Sequence, residues 1–300
     1  MPERNDGEGG AALLAVDGSE FGVGATRVAI ALAAKSGVEL LALNVLTSGG
    51  DEGLMGLDAR AVERAEARAV VERIADEARR AGVRAQPMTR TGSSAADAII
   101  AAAGETRAGV IVMGRRGRTG FARGSLGHTT ARVIGAATCP VLVAPRAAEL
   151  WSRRVLLAVD GSPASEAAAF CLGRWPAAAW APIVVLSVEV PKHSPERRAE
   201  AAQIVERTVA ALRAAGREAE GRVGRGGAAD EILRAASGTG TDLVVLGSEG
   251  RTALGRALMG SNSQAVVSRV ASAALVVTAR MARILAMREP APAAPPSGGP

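Results

Sequence analysis

The sequence predicts an α/β fold: two doubly wound domains, each on a mostly parallel sheet of five strands. Three observations carry this. The heptapeptide LLAVDGS occurs twice, at Leu13 to Ser19 and at Leu156 to Ser162, an offset of 143. Each copy alternates short apolar runs with amphipathic stretches of helical period. Several runs are nearly continuous in Val, Leu and Ile, the composition of parallel strands covered on both faces.

In the first copy the runs lie near Ala11 to Val16, Val38 to Leu46, Val83 to Arg90, Gly109 to Met113 and Val141 to Ala144. In the second they lie near Val155 to Val159, Ile183 to Val190, Glu218 to Gly224, Asp242 to Leu246 and Leu275 to Thr278. The offset of 143 persists into the second run, where Leu43 and Val45 match Leu186 and Val188, and falls to 134 in the helix that follows. There Ala67, Val70, Val71, Ile74, Ala78 and Ala81 form one stripe at helical spacing, matched by Ala201, Ile204, Val205, Thr208, Leu212 and Ala215. Asp97 matches Asp230 and Gly114 matches Gly247 at 133, so the length changes fall in loops, chiefly Ser48 to Leu57. A duplication is the economical explanation. Right-handed crossovers between such strands give an open sheet whose ligands bind beyond the carboxyl ends of the strands, where strand order reverses.

The domains span residues 11–147 and 153–280, joined by a short link near Arg146 to Arg153 that includes Trp151. Residues 1–10, acidic and Gly-rich, read as a flexible N-terminus. After Arg280 a brief basic helical stub is expected, and residues 281–300 read as a disordered tail, because Pro290 to Pro300 is too poor in bulky apolar groups to pack.

Composition narrows the function classes. Apolar residues make up 48% of the chain but are mostly Ala and Val, with no Tyr, so the core is built from small aliphatic side chains. The formal charge of +6 comes from arginines spread along the chain, the only lysines being Lys35 and Lys192. Arginines share helical stretches with Glu, as in Glu63 to Arg68 and Glu196 to Arg198, which is the pattern of solvated, mixed-charge faces. With no interleaved aromatics for base stacking, a nucleic-acid partner is disfavoured. Cys139 and Cys171 lack CxxC spacing, which implies neither a zinc site nor a disulfide framework and fits a reducing compartment. Cys139, just before a strand, reads as a small buried hydrophobe. The acidic start and the lack of any apolar run of about 18 residues favour a soluble, cytoplasmic protein with no membrane partner.

Candidate chemistry concentrates after the fourth run of each copy. MGRRGRTGFARGSLGHTT spans Met113 to Thr130, and LGSEGRTALGRALMGSNS spans Leu246 to Ser263. Both carry Gly-x-x-Gly, nine further residues, then a third Gly at the start of a helix: Gly114, Gly117 and Gly127, and Gly247, Gly250 and Gly260. A loop of amides that ends on a helix N-terminus presents several N–H donors to an anion, so phosphate is the expected guest. Turns and caps use the same residues, but recurrence in both copies at the sheet edge favours the ligand reading. Ser261 either donates to a phosphate oxygen or caps the helix. Gly-Lys-Ser/Thr is absent, so this is not a Walker A loop, and the usual dinucleotide fingerprint belongs after the first strand.

Asp17 and Asp160 end the first strand of each copy in AVDGS. A carboxylate there accepts hydrogen bonds from an adenine or ribose, or simply caps the next helix. Arg115, Arg116, Arg118 and Arg123 crowd the first loop, to neutralise a triphosphate or to lie in solvent; Arg251 and Arg256 do so more sparsely in the second, beside Glu249. The two histidines, His128 and His193, sit in no nucleophile or metal motif, and His193 reads as a solvent residue.

AVDGS at the first strand, Gly-x-x-Gly-x9-Gly after the fourth and the closing TCPVLVAP together resemble the universal stress protein family in its tandem form, over the whole chain except its tails. The resemblance implies a flavodoxin- or Rossmann-like sheet of order 3-2-1-4-5 in each domain. By resemblance to the ATP-binding branch, Asp160 and the backbone near Val188 flank the adenosine, while Gly247, Gly250, Gly260, Ser261, Asn262 and Ser263 surround the phosphates. The matching first-copy positions are Asp17, Val45, Gly114, Gly117, Gly127, His128, Thr129 and Thr130. His128 departs from the family, which usually places Ser or Thr there; an imidazole crowds the phosphate or, if protonated, attracts it.

The resulting expectation is an ATP-binding regulatory protein of the stress response, with or without magnesium, carrying nucleotide in one or both domains and hydrolysing it weakly if at all. The alternatives are a protein–protein module that binds no nucleotide, as in another branch of the family, and a slow ATPase. Regulatory protein partners are expected without being identified. The family also pairs domains through the edge strand formed by the last run, so Val141 to Ala144 and Leu275 to Thr278 are expected to join the two copies as an intramolecular pseudo-dimer, with a homodimer of whole chains as a further option.

Overall fold

The structure, a computed structural model, describes residues 10–47, 57–117, 126–148, 154–175, 182–191, 194–249, 259–278, 280–282 and 284. The N-terminal segment 1–9, most of the Ser48 to Leu57 loop, Trp151 and the tail from 285 onward lie outside the described residues.

The first half runs β1 (Ala12–Ala15), α1 (Val23–Ser36), β2 (Leu40–Thr47), α2 (Leu57–Arg80), β3 (Ala85–Gly92), α3 (Ala95–Glu105), β4 (Val110–Gly114), α4 (His128–Ala136) and β5 (Val141–Ala144). The second repeats it as β6 (Val155–Ala158), α5 (Pro163–Arg174), β7 (Ile183–Glu189), α6 (Pro195–Ala214), β8 (Ala219–Arg225), α7 (Ala228–Gly238), β9 (Leu243–Gly247), α8 (Ser261–Arg269) and β10 (Ala273–Val277). All ten expected strands are present. Local chemistry sets the boundaries. Ser94 accepts the Asp97 amide to open α3, Ser162 and Pro163 open α5, and α1 stops at Gly37 in the left-handed region.

The expected order 3-2-1-4-5 holds in each half, but the two sheets are one. The full order is β3-β2-β1-β4-β5-β10-β9-β6-β7-β8, parallel within each half and antiparallel where β5 meets β10. Leu142 stands opposite Leu275, with Val141 opposite Val276 and Val143 opposite Ala274. Every residue of β5 and β10 is buried, whereas the outer strands β3 and β8 expose most of theirs. Apolar edges are joined and polar edges face water, which is the arrangement that prevents open-ended pairing.

Helices α1, α2, α5 and α6 cover one face of the sheet, and α3, α4, α7 and α8 the other. Each of the two apolar clusters contains residues of both halves, so the core is continuous across the junction on both faces. The long-helix stripe is buried at Ala67, Val71, Ile74 and Ala78, and at Ala201, Ile204, Val205, Thr208 and Leu212. Ala81 and Ala215, expected in that stripe, are exposed, because α2 ends at Arg80 and α6 at Ala214 and the chain turns there through Gly82 and Gly216 with positive φ. Thr278 caps a short helical turn at 280–282 by accepting the Met281 amide at 3.0 Å. Among the described residues no helix is long and apolar enough to cross a membrane.

Leu275→Ala, which empties a fully enclosed position at the junction, is expected to lower stability by about 2–5 kcal/mol. Because both clusters span the junction, calorimetry of wild type and variant should show one cooperative transition; two resolved transitions would contradict a shared core.

Candidate functional site

Strand order reverses at β1, which has β2 on one side and β4 on the other. Ala15 is level with Leu43 in β2 and Met113 in β4, so Asp17, two residues on, emerges beside Val45 and the start of the loop after β4. In the second half Ala158 is level with Leu186, which brings Asp160 beside Val188. The aspartates do not cap helices. Asp17 Oδ1 accepts the Ser19 amide at 3.0 Å and Asp160 Oδ1 accepts the Ser162 amide at 3.0 Å, each closing a tight turn around a glycine with positive φ, Gly18 at 77° and Gly161 at 74°. Capping of α5 falls to Ser162, whose Oγ accepts the Ser165 amide at 3.3 Å and donates to the Glu249 carbonyl at 3.3 Å. That second bond ties the turn after β6 to the loop after β9. The first half has Gly22 where the second has Ser165, and a short 3-10 turn, Glu20–Gly22, precedes α1 instead.

The glycines divide by task. Gly114 and Gly247 end β4 and β9, where a side chain would collide with what packs there: a Cβ on Gly247 would lie 2.8 Å from that of Ala164, and one on Gly114 2.9 Å from the Phe21 carbonyl oxygen. These two serve packing. Gly117 abuts the aspartate turn, since a Cβ there would stand 2.5 Å from Asp17 Oδ2. Gly250, Arg118, Arg123, Arg251, Arg256 and His193 lie outside the described residues.

Gly127 and Gly260 are the N-cap residues of α4 and α8, with φ, ψ of −63°, 144° and −64°, 148°. Their amides donate to the carbonyls of Arg115 at 2.9 Å and Ser248 at 2.8 Å, which folds each loop back onto its strand end. The helical ladder starts with Ala131 donating to Gly127 and Gln264 to Gly260. The amides of His128, Thr129 and Thr130, and of Ser261, Asn262 and Ser263, therefore precede the ladder and have no acceptor within their own helix. His128, Ser261 and Asn262 are exposed; Thr129 and Ser263 are half-buried. Ser261 is the first helical residue, the cap position being Gly260. Thr130 Oγ1 donates to the Gly114 carbonyl at 3.0 Å and Ser263 Oγ to that of Gly247 at 2.8 Å, so the hydroxyl of the third residue after each capping glycine fastens helix to strand. Each half thus gathers an aspartate turn and a glycine-capped helix start at the carboxyl edge of its sheet.

The arginines depart from expectation. Arg115 neither reaches outward for an anion nor lies in solvent. It crosses into the other half, where Nη1 donates to the Ser268 carbonyl at 3.0 Å and Nη2 to that of Val270, at the C-terminal end of α8. Burial, then the nearby Arg116, lowers its pKa to about 10. Arg116 lies 5.6 Å over the Phe21 ring. The reciprocal contact uses other residues: Thr278 Oγ1 donates to the Ala137 carbonyl at 2.8 Å, and Arg280 Nη1 to that of Ala136 at 3.2 Å, at the end of α4. On the opposite face Trp175 Nε1 donates to Ser36 Oγ at 3.0 Å. Sequence reading missed these bridges. The one visible signal was Arg115 standing where the repeat has Ser248.

Cys139 and Cys171 are both buried, and burial pushes both thiols from 9.0 to about 12, the state of inert packing groups.

Fold and site define a tandem, doubly wound α/β protein with two related loop-and-helix sites at the carboxyl edge of one shared sheet. The sequence model of the universal stress protein family matches residues 11–145 and 152–278, and the chain belongs to that family. The fold is that of a universal stress protein from Archaeoglobus fulgidus, with 19% identity over 90% of this chain and 96% of that one and a TM-score of 0.68. A putative universal stress protein from Pseudomonas aeruginosa matches at 18% identity over 92% and 98%, with a TM-score of 0.65. No curated protein sequence matches the chain.

Two outcomes are expected of these side chains. Thr130→Val keeps the volume but strands the Gly114 carbonyl, and should lower stability by about 1–2 kcal/mol in denaturant unfolding. Both thiols should resist a disulfide reagent at about pH 8 in the native protein and react once it is unfolded. As pH rises from 9.0 toward about 12 only the unfolded thiols ionise, so their contribution to stability is complete below that window and is lost across it.

Proposed function

We propose that the chain is an ATP-binding regulatory protein of the stress response, acting in the cytoplasm, with nucleotide at the carboxyl edge of the sheet in one or both halves. The observation that supports this reading is the paired helix start: three amides ahead of the helical ladder, behind a glycine N-cap, at the point where strand order reverses, in both halves. The donor set fits a phosphate, being neutral N–H groups and the positive end of a helix dipole. In the second half the amides and hydroxyls near Gly247, Gly250, Gly260, Ser261, Asn262 and Ser263 would hold the phosphates, and Asp160 and Val188 the adenosine. Asp17, Val45, Gly114, Gly117, Gly127, His128, Thr129 and Thr130 would do so in the first. ATP would bring magnesium on its phosphates. Such donors hold charge without abstracting a proton, which favours a sensor of nucleotide over a hydrolase.

A second reading, a protein–protein module that binds no nucleotide, draws support from the first half. There the exposed His128 opens α4 and Arg115 is turned away from the loop.

The test is calorimetry with magnesium and ATP on protein stripped of nucleotide, beside Gly260→Asp. At the extended dihedrals of position 260 an aspartate is a favoured N-cap, so the variant should fold while its carboxylate competes for the α8 amides. The expected result is saturable binding that falls by one equivalent in the variant. No binding by wild type would favour the protein–protein module.

A further inference from the structure

Helices α4 and α8 are each held at both ends by different halves. The start of α8 is fastened to its own half, through Gly260 to Ser248 and Ser263 to Gly247. Its end is held by Arg115, which belongs to the loop of the first site. The backbone of Arg115 is itself part of that site: its carbonyl accepts the Gly127 amide at 2.9 Å and its amide donates to the Ala144 carbonyl at 3.1 Å. One residue therefore touches the N-cap of α4 with its backbone and the last carbonyls of α8 with its side chain.

A return route exists. The Ser248 amide donates to the Val277 carbonyl at 2.8 Å, and the next residue, Thr278, donates to Ala137 at the end of α4. Each loop is thus joined by hydrogen bonds to the far end of the helix that serves the other site. We propose that Arg115 is a positioning residue for the second site, acting from the first half, and that it couples the two sites. The inference rests on the reading of these sites as nucleotide sites.

The physical basis is the shared helix. An anion at the start of α8 and a guanidinium at its end stabilise the same dipole, and the planar fork of Arg115 fixes the axis along which the first-turn amides point. Arg115 is half-buried, with its Nε enclosed and making no hydrogen bond, so its guanidinium is held in place by the two carbonyls at the end of α8. Movement of that loop either keeps the clamp or releases it. The second loop has no matching cation at Ser248, so the two directions run through different groups, although the coupling free energy between the sites must be the same read either way.

The experiment is a double-mutant cycle on the full chain, with ATP as the probe and calorimetry as the readout. Gly127→Asp puts a competing carboxylate at the start of α4, and Arg115→Gln removes the cation. The second-site dissociation constant is measured in wild type, both single variants and the double variant. Coupling through Arg115 predicts that Gly127→Asp shifts that constant about fivefold or more when Arg115 is present, and less than about twofold when it is glutamine. An equal shift in both backgrounds, or none in either, overturns the proposal. A merely structural arginine would lower the melting temperature of the Gln variants without altering this ratio. If wild type binds no ATP, the nucleotide reading fails instead, and amide hydrogen exchange then judges the clamp. Arg115→Gln should raise exchange at residues 264–270 about tenfold while α4 keeps its wild-type rate; unchanged exchange in α8 would refute it.

Discussion

An open parallel sheet of order 3-2-1-4-5 ends in a strand whose sequence, VLVA in one half and AALVV in the other, is too apolar to face water. Pairing β5 with β10 satisfies both edges at once, and much of the rest of the molecule follows from it. It sets Leu142 against Leu275, merges the cores of the two halves on each face and carries α4 and α8 to either side of the junction. It also leaves β3 and β8 as the terminal edges, where polar sequences such as TRTG and AEGR are compatible with solvent. The arrangement is what a sheet with two good edges and two poor ones must adopt.

The same pairing decides where the ends of the site helices lie. A helix that starts at the carboxyl edge of β4 or β9 runs back along the sheet and ends near the neighbouring half. Its last carbonyls, left over by the helical ladder, need donors there, and the neighbouring half supplies them: Arg115 for α8, Thr278 and Arg280 for α4. Helix termini carry unsatisfied groups at both ends, so a helix end buried at the junction needs donors from whatever packs there. Rigid placement of the first-turn amides is a property of the junction as much as of the loop.

The fold was legible because its signals are local or repeated. LLAVDGS, printed twice, placed β1 and β6 to within a residue, and the long-helix stripes marked the buried faces of α2 and α6 up to the final turn, where Ala81 and Ala215 fall past the helix ends. The helix starts behind Gly127 and Gly260, around which the candidate site is drawn, were legible for the same reason, since glycine spacing survives duplication. The site's finer assignments were not. Whether Gly247 approaches a ligand or a helix depends on Ala164, 83 positions earlier, and whether Asp160 caps a helix or closes a turn depends on the neighbouring Ser162 taking the cap. The partner of Arg115 lies 153 residues away, and the mismatch with Ser248 marks the residue without pointing to its target.

The mismatch of Arg115 with Ser248 has a meaning beyond this junction. When two identical chains meet about a two-fold axis, every contact is made twice, and a residue that helps one copy must be tolerated in its mirror position in the other. Fusing the copies into one chain lifts that restriction. Arginine can then be placed once, in the half where it is useful, while serine keeps the other loop small, and the halves are free to drift toward unequal duties without parting. The tandem format thus converts an obligatory symmetry into an optional one, and the Arg115 guanidinium, with only a serine at the matching position, is where this chain has exercised the option.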